Sequence, residues 1–573
     1  MDKEKKEWKK DEKKRKHTGE NADGDVGYFR RVDDRLKEGF EDDEMKEMFV
    51  QNVLSEVKGK AALVALDRTA SITLQHLLPL SSLDQVAEVL KELTGEAGSD
   101  VKAVACSYCG SHVVESAIRQ MSRWSETPET ETEEDGPLEA QVLCLSRMVR
   151  ESSAEFIKHV HGSHVVRTLL HVMAGCIGPP RTDTQPAAKA RHVLPQLVDF
   201  DIPTSFWYEL KELTENLMTN VNRDAVFQTM LTVCHRKRPK LCKKLLNHII
   251  EYLTSRSAAP GVSPLLVFLK DQASSHLIEK VILLSHKALL RDIYKNHFRG
   301  QLVDLALHPI ANFTIQRLTC DMTAQRGSLF PKLFDELVEG VEAILAAGHM
   351  GVIVQMAESC AESGERQDEL MRCLLGAFHC AEPGSRHTSC LPLFLSLLTY
   401  EVYYHSDTAE GGIDTQAPLK SMCYHGSRLV QALSKFKERS LLLSSLRALS
   451  PGDLLTLAAD SVGSHVLQAL ITTSSDKGRG KILKRLEGQY VHMACSRSGS
   501  RTLEAIWSSA SVTHRQIIAQ ELAPSESQLR SDQFARHVWA KFALSHFIHR
   551  RSHWMEIQTG ESKKRKMFSD LLE

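Results

Sequence analysis

A short motif recurs eleven times along the chain, and this repetition constrains the fold more than any other feature of the sequence. Its clearest copies read Gly-Ser-His-Val-Val at residues 110–114 and 162–166, and Gly-Ser-His-Val-Leu at 463–467. Position 1 of the motif, which follows the small residue, falls at 71, 111, 163, 224, 275, 312, 351, 427, 464, 500 and 536. Successive copies near the C-terminus stand 36 or 37 residues apart. This period predicts an all-α superhelical solenoid of about eleven helical repeats.

Longer gaps between copies contain stretches of loop-like composition. Glu126–Pro137 is acidic and rich in Thr, Gly178–Ala187 is rich in Pro, Thr and Gln, and Ser406–Pro418 is similar. We therefore predict surface inserts near 126–137, 178–187 and 406–418. The gap from 351 to 427 leaves open one further degenerate unit, around Phe378–Leu398.

The repeats and the chain ends define the predicted domains. Residues 1–45 are expected to be a basic, disordered tail, 46–400 to hold repeats 1–7, 401–555 repeats 8–11, and 556–573 a second basic tail. Residues 1–17 contain nine Lys or Arg against five Asp or Glu, and residues 562–566 read Ser-Lys-Lys-Arg-Lys. Such runs are typical of solvated tails and also of nuclear or nucleolar targeting, and both can hold together.

Composition excludes several classes of protein. The formal net charge of −1 argues against a polybasic protein that coats nucleic acid by bulk charge. The 13 Cys, odd in number and without a spacing framework, indicate reduced thiols. The N-terminus is charged from Asp2 onward and has no apolar h-region, so no secretory signal is expected. The run Leu391–Leu398 is too short to cross a bilayer. We expect a soluble intracellular protein with no membrane partner.

The spacing within the motif separates a buried side from an exposed side of one helix. At about 100° per residue, positions 1, 2 and 5 fall within one arc of about 100°, and positions 3 and 4 lie opposite. Positions 3 and 4 are almost always apolar, as in Val113-Val114 and Val466-Leu467. We therefore expect positions 3 and 4 to be buried, and positions 1, 2 and 5 to form a repeated exposed face.

The residue types on this face are those that read an unpaired base. A small hydrogen-bonding residue stands at position 1, a long one at position 5, and a ring or guanidinium at position 2 in eight copies. Two side chains can then contact the edge of a base while a flat group stacks on its face. The candidate RNA-binding residues are Ser71, Ser111, Ser163, Ser275, Asn312, Ser427, Ser464 and Ser500 at position 1; His112, His164, His276, Phe313, Arg428, His465, Arg501 and His537 at position 2; and Gln75, Glu115, Arg167, Gln228, Glu279, Gln316, Gln355, Gln431, Gln468 and Glu504 at position 5.

A Gly-Ser pair at the start of a helix could instead be an ordinary N-cap. Residues of the capping type already stand four positions earlier, however, at Asp67, Ser107, Asp271, Asp460, Ser496 and Asp532. This spacing predicts that position 1 lies inside the first turn of its helix rather than at the cap.

The repeated motif resembles that of the Pumilio (PUF) repeat family over roughly residues 50–555. The resemblance implies one RNA base per repeat, with the RNA antiparallel to the chain. By the family's code, the pairs Ser111/Glu115, Ser275/Glu279 and Ser500/Glu504 would select guanine. Asn312/Gln316 would select uracil, Ser with Gln adenine, and Ser163/Arg167 cytosine. Copies such as Gly351/Val352 depart from the code, so we expect a few specific bases together with backbone and shape recognition.

About eleven divergent units with inserts and basic ends resemble a nucleolar branch of the family rather than its eight-repeat messenger-RNA regulators. This resemblance implies a nucleolar factor that binds single-stranded small-subunit pre-rRNA and acts in its processing and in 40S ribosome biogenesis. Pre-ribosomal assembly proteins are expected partners, and DNA is not.

No catalytic motif, metal site or cofactor site is expected. The sequence contains no G-x-S-x-G elbow, Walker A loop or H-E-x-x-H helix. Cys106 and Cys109 form one CxxC without a partner pair, and His164 of the triplet His159, His161 and His164 belongs to the repeat. The alternative to RNA binding is a helical-repeat scaffold that binds proteins in ribosome assembly. A peptide groove, however, gives no reason to repeat Ser-His-x-x-Glu/Gln.

Overall fold

In a computed structural model, residues 22–95, 101–124, 136–178, 196–219, 225–255, 263–325, 329–404, 419 and 422–559 are described. The two strands among these residues, β1 (Cys176–Ile177) and β2 (Val198–Asp199), form a small antiparallel pair that joins Cys176 to Asp199 and Ile177 to Val198. Nearly all the rest is helical, which confirms the all-α class.

The described residues of each copy of the motif lie on a helix, and we call these helices motif helix 1 to 11 in chain order. The motif helices are Ala70–Leu77, Tyr108–Arg119, Gly162–Met173, Ala225–Lys237, Gln272–Leu284, Ala311–Ala324, Met350–Ser363, Tyr424–Leu433, Gly463–Thr473, Arg497–Ser509 and Ala535–Lys541.

Connecting helices precede, separate and follow them. Their bounds are Ala22–Glu38, Asp43–Val57, Ala61–Leu66, Leu83–Thr94, Val101–Ala105, Pro137–Glu151, Ser153–Lys158, Thr204–Thr219, Pro239–Thr254, Pro264–Leu269, Lys287–Ile293, Leu302–Ala306, Phe330–Leu337, Val341–Ala346, Gln367–Ala377, Cys390–Ser396, Tyr400–Tyr404, Ser440–Ala448, Pro451–Ala459, Asp476–Leu486, Tyr490–Ala494, Val512–Leu522, Glu526–Ser531, Leu544–His549 and 551–559. Short 3₁₀ turns occupy Leu78–Leu80, Gln120–Arg123, Val338–Gly340, Gly384–Ser389 and Ala523–Ser525, and a π turn occupies Tyr294–Phe298.

The predicted capping residues lie at the N-terminal ends of six motif helices. The Ser107 hydroxyl accepts the Gly110 N–H at 2.8 Å, and the Asp271 carboxylate accepts the Ser274 N–H at 3.0 Å. The remaining four, Asp67, Asp460, Ser496 and Asp532, accept N–H groups of their first turns in the same way. Each such cap is worth about 1 kcal/mol. Position 1 therefore lies one turn inside the helix, as predicted.

Positions 3 and 4 of the motif supply the core. Val113, Val165, Val166, Val466 and Leu467 are all 0% exposed. Complete burial of such a side chain contributes about 1.5–3 kcal/mol. The prediction that these two positions face inward is confirmed.

The described residues form two compact units, one up to Leu289 and one from Leu290. In the first unit, motif helix 1 packs against 2, 2 against 3, 3 against 4, and 4 against 5. In the second unit, motif helices 6 to 11 pack in the same consecutive order. Within each unit the motif helices therefore form one layer that is continuous from repeat to repeat, as a solenoid requires.

The helix Ala22–Glu38 corrects the predicted disordered tail of residues 1–45. It packs against motif helix 1, with Phe29 only 2% exposed, and the Thr73 hydroxyl donates to the Phe29 carbonyl at 3.1 Å. This segment is rich in charged residues, which favoured a disordered tail, but it forms an amphipathic helix that packs on the first repeat. Residues 1–21 lie outside the described part of the chain.

The boundary of the predicted C-terminal tail is also wrong. Residues 551–559 form a helix in which Trp554 is fully buried, and the Trp554 indole N–H donates to the Phe542 carbonyl at 2.9 Å. The predicted boundary at 556 therefore falls inside a packed helix. Residues 560–573 lie outside the described residues.

Among the described residues between positions 351 and 427, no additional motif helix occurs. Motif helix 7 packs directly against motif helix 8. Within the doubtful stretch Phe378–Leu398, the helix Cys390–Ser396 packs against motif helix 8, just as Pro451–Ala459 packs against motif helix 9. The stretch thus supplies the first helix of a repeat. The predicted insert near 406–418, and most of those near 126–137 and 178–187, lie outside the described residues.

No single helix in the described part of the chain is long and apolar enough to cross a membrane. One pair, Pro451–Ala459 and Gly463–Thr473, meets the length and composition criteria only when taken together and is bent by 104°.

Candidate RNA interface

The three predicted face positions differ in exposure, and the second motif helix illustrates the difference. Ser111 is 1% exposed, the side chain of Glu115 is 16% exposed, and the ring of His112 is 48% exposed. The same order holds in the fifth copy, where Ser275 is 1%, Glu279 17% and His276 44% exposed. Position 2 is therefore the most accessible part of the motif.

Position 1 is buried, which corrects the prediction that it lies on the exposed face. All eight candidates at this position are between 1% and 7% exposed: Ser71, Ser111, Ser163, Ser275, Asn312, Ser427, Ser464 and Ser500. The Ser275 hydroxyl donates to the Gln272 carbonyl at 3.0 Å, and the Ser163 hydroxyl donates to the Val160 carbonyl at 3.0 Å. A hydroxyl bonded in this way keeps its acceptor lone pairs but has no proton left for a base.

Position 5 lies over position 1. The amide of Gln75 donates to the Ser71 carbonyl at 3.1 Å, and that of Gln431 donates to the Ser427 hydroxyl at 2.9 Å. Gln316 makes the equivalent bond to the Asn312 side chain at 3.0 Å. The ten position-5 side chains are all half-buried: Gln75, Glu115, Arg167, Gln228, Glu279, Gln316, Gln355, Gln431, Gln468 and Glu504. In the first, sixth and eighth copies this side chain lies across position 1.

Position 2 presents flat groups to solvent. Six candidates at this position are exposed, namely His112, His276, Phe313, His465, Arg501 and His537, while His164 and Arg428 are half-buried. In the second and fifth copies the ring leans toward position 5: His112 Nδ1 lies 3.4 Å from the Glu115 carboxylate and His276 Nδ1 lies 3.6 Å from that of Glu279. The flat group at position 2 and the carboxylate at position 5 thus lie side by side.

His164 is held by its neighbour in the same motif. The Arg167 guanidinium donates to His164 Nδ1 at 2.6 Å. Burial, followed by the charge of Arg167, lowers the pKa of His164 from its usual value. The ring is therefore neutral at physiological pH, which is the state suited to stacking on a base rather than to pairing with phosphate.

Position-5 side chains form hydrogen bonds with side chains of the next motif helix. The Thr168 hydroxyl donates to the Glu115 carboxylate at 2.6 Å across motif helices 2 and 3. In the other unit, Lys541 donates to Glu504 at 2.8 Å and Gln468 donates to Thr502 at 3.4 Å. These contacts fix the position-5 groups relative to the neighbouring repeat.

The seventh copy does not present the face. Val352 at position 2 is fully buried, and the Gln355 amide donates to the Ser359 hydroxyl at 3.4 Å on its own helix. Instead, Glu358 of this helix pairs with Arg428 of the next motif helix at 2.6 Å. Burial alone would lower the pKa of Arg428, but the hydrogen bond and charge of Glu358 raise it.

Two other copies are incomplete. In the fourth, position 2 is Ala225, which has no flat group, although Gln228 at position 5 is half-buried. Position 1 of this copy, Asp224, lies outside the described residues. In the eleventh, His537 is exposed but position 5 is Ala540, which has no polar group. Each of these two copies therefore lacks one side chain of the three-position face.

Sequence reasoning missed an exposed position one turn before position 2. Tyr108, Val160 and Tyr424 stand four residues before His112, His164 and Arg428, and are 66%, 72% and 62% exposed. The Tyr108 ring lies edge-on to the His112 ring with centroids 6.0 Å apart. A spacing of four places residues on one helix face, so this spacing was the signal available in the sequence.

The sequence features that resemble metal sites have structural roles. His159 Nδ1 accepts the Gly162 N–H at 3.2 Å and caps motif helix 3. Burial raises the pKa of the Cys106 thiol, and a Cβ added to Gly162 would lie 3.0 Å from Cys106 Sγ. No group of three or more metal-ligating side chains occurs among the residues that the structure describes.

Comparison with known proteins identifies the family. A sequence profile of the NOP9-like PUF repeat domain matches residues 59–192 and 204–537. Nucleolar protein 9 of Mus musculus is 40% identical over 96% of this chain and 90% of its own length, and that of Homo sapiens is 38% identical with the same coverage.

A solved structure shares the fold. APUM23 with the oligonucleotide GGAUUUGACGG is 23% identical and superposes with a TM-score of 0.75, covering 93% of this chain and 98% of that one. From the profile match and the two mammalian relatives, the chain belongs to the NOP9-like PUF repeat family.

Proposed function

We propose that the chain is a non-catalytic RNA-binding protein of the nucleolus that binds single-stranded small-subunit pre-rRNA and acts in its processing and in 40S ribosome biogenesis. The observation that carries the proposal is the repeated pairing of an exposed flat side chain at position 2 with a half-buried amide or carboxylate at position 5. The names of the relatives support the nucleolar location, and the uracil-containing oligonucleotide of the APUM23 structure supports RNA as the ligand.

The geometry suggests how a base is held. A base stacks on the ring or guanidinium at position 2, and each such contact is worth about 1–3 kcal/mol. The position-5 side chain turns outward from position 1 to contact the edge of the base. Glu115, Glu279 and Glu504 can accept the two N–H donors of guanine, whereas an amide such as Gln316 both donates and accepts. Position 1 supports the position-5 side chain from beneath.

A single repeat tests this scheme. The double variant Ser275→Asn with Glu279→Gln copies into repeat 5 the pair whose side chains hydrogen-bond at 3.0 Å in repeat 6. Selection from a random single-stranded RNA pool, followed by sequencing, should show one position shift from guanine toward uracil. The reciprocal variant Asn312→Ser with Gln316→Glu should shift another position toward guanine. If neither variant changes the selected motif, positions 1 and 5 do not read bases.

The identity of the RNA needs a cellular measurement. Ultraviolet crosslinking and sequencing of RNA bound to the full chain should place most contacts in single-stranded parts of the small-subunit rRNA precursor. A predominance of messenger RNA would contradict the proposal.

The alternative of a protein-binding scaffold predicts a different result. A peptide-binding surface would tolerate Ala at the flat position-2 side chains without any change in RNA affinity. The presence of a flat group at position 2 in eight copies favours bases, because stacking uses the same kind of group in each repeat that holds a base and peptide binding does not.

A further inference from the structure

Tyr108 is a large aromatic side chain for which the folded chain gives no internal role. It is the first residue of motif helix 2 and is 66% exposed. The described contacts of its ring are with two histidines: His112 at 6.0 Å with an interplanar angle of 85°, and His161 at 5.5 Å with an angle of 81°. An exposed aromatic ring held edge-on by two others is an unusual use of a residue that normally buries 150–250 Å².

The position of Tyr108 places it beside a candidate stacking residue. It precedes His112 by four residues, so both side chains lie on one face of the same helix. His161 belongs to the turn before motif helix 3, so the three rings span two neighbouring repeats. Burial and the nearby His159 and His112 lower the pKa of His161, which keeps this ring neutral as well.

The eighth repeat repeats the arrangement. Tyr424 is the first residue of motif helix 8, is 62% exposed and precedes Arg428 by four residues. The Arg428 guanidinium lies 5.9 Å from the centre of its ring. Two repeats of the chain thus place an exposed Tyr one turn before a flat position-2 group, which internal packing does not require.

We propose that Tyr108, held in place by His112 and His161, is an additional stacking residue that binds a nucleobase of the RNA next to the base at His112. The inference rests on the proposed function and extends it to a position outside the family's three-residue motif. Aromatic rings that face solvent on a nucleic-acid surface stack on bases without sequence preference, since every base has a π face. The contact at Tyr108 therefore adds affinity and restricts the path of the RNA, but it does not select a base.

The test uses the full chain and the RNA that it selects from a random single-stranded pool. Tyr108→Ala should weaken binding by about 5-fold or more, and Tyr108→Phe should bind as the unaltered chain does, because the ring and not the hydroxyl makes the contact. Tyr208→Ala is the matched control, since Tyr208 is 72% exposed on the connecting helix Thr204–Thr219. It should leave the affinity unchanged.

An abasic scan locates the base. Each nucleotide of the selected RNA is replaced in turn by an abasic one, and binding is measured with the unaltered chain and with Tyr108→Ala. One abasic position should weaken binding to the unaltered chain but cost nothing further in Tyr108→Ala. If every abasic position costs the same in both proteins, or if Tyr108→Leu binds as well as Tyr108→Phe, the stacking role is overturned.

A comparison of Tyr108→Ala with His112→Ala separates this inference from the proposed function. If His112→Ala weakens binding while Tyr108→Ala does not, the position-2 scheme stands and the additional contact fails. If neither variant has an effect, the proposed function fails as well.

Discussion

The side-chain amide of Gln316 lies directly over the Cα atom of Gly351, in the space that a Cβ atom would occupy. A Cβ added to Gly351 would be 2.5 Å from Gln316 Nε2 and 2.6 Å from Oε1. The same Nε2 donates to the Asn312 side chain at 3.0 Å. Gly351, at position 1 of the seventh repeat, thus leaves open the space in which the Gln316 amide of the sixth repeat lies.

Gly351→Ala should therefore displace the Gln316 amide. The displaced group is the end of a flexible side chain, so we expect the free energy of unfolding to change by less than about 1 kcal/mol. The base preference assigned to repeat 6 should weaken in an RNA selection experiment. Gly376→Ala is the control, because an added Cβ there meets no atom within 4 Å. An unchanged preference in Gly351→Ala would mean that Gln316 does not contact a base.

Glu358→Gln should release Arg428 for RNA. The Arg428 guanidinium donates to the Glu358 carboxylate at 2.6 and 3.1 Å, and its side chain is 38% exposed. Removal of the carboxylate charge should raise RNA affinity and make it more salt-dependent, since a freed cation can approach the backbone. Folding stability should change little, because such an exposed pair contributes at most about 1 kcal/mol.

The matched control for Glu358 is Glu362→Gln, an exposed carboxylate one turn further along motif helix 7. Binding titrations at several salt concentrations check the effect. An equal gain in both variants would indicate a general charge effect rather than release of Arg428.

His171 should make the stability of the chain depend on pH. Burial, followed by the charge of Arg119, lowers its pKa from 6.5 to about 4. Between these values the unfolded chain carries the proton and the folded chain does not, so the free energy of unfolding falls as the pH is lowered through this window. The full shift corresponds to about 3 kcal/mol.

Replacement of this ring should reduce that pH dependence. Urea unfolding of His171→Gln at pH 7.5 and pH 4.5 should show a smaller loss of stability than in the unaltered chain. His235→Gln, which changes an exposed histidine, should follow the unaltered chain. Parallel curves for all three proteins would show that His171 does not titrate as its burial implies.

Most of the fold could be predicted from the repeat period and from the apolar pair at positions 3 and 4. The described residues of each copy of the motif lie on a helix, and the residues at positions 3 and 4 are buried. The helix caps could also be predicted, because Asp or Ser stands four residues before position 1 in six copies and both are preferred N-cap residues. The helix Ala22–Glu38 could not be found in this way, because it contains no copy of the motif and few of its residues are apolar.

The exposure of the face was only partly predictable. Helical angles place positions 1, 2 and 5 on one side, but they ignore the length of the side chains. Ser275 is short and lies in the first turn, where it bonds to the Gln272 carbonyl. Long position-5 groups such as Gln431 then extend across position 1. Tyr108 lies outside the motif, although its spacing of four residues to His112 is visible in the sequence.

The central claim is that the flat side chains at position 2 stack on RNA bases. The most direct test is the affinity of the full chain for its selected RNA when His112, His276, Arg428 and His465 are all replaced by Ala. A control replaces His235, His248, His492 and Arg530, which are exposed and lie outside position 2. Since each stack is worth about 1–3 kcal/mol, we predict that the first variant loses about 1,000-fold or more in affinity while the control retains it. Equal affinity of the two variants, with an unchanged selected motif, would contradict the account.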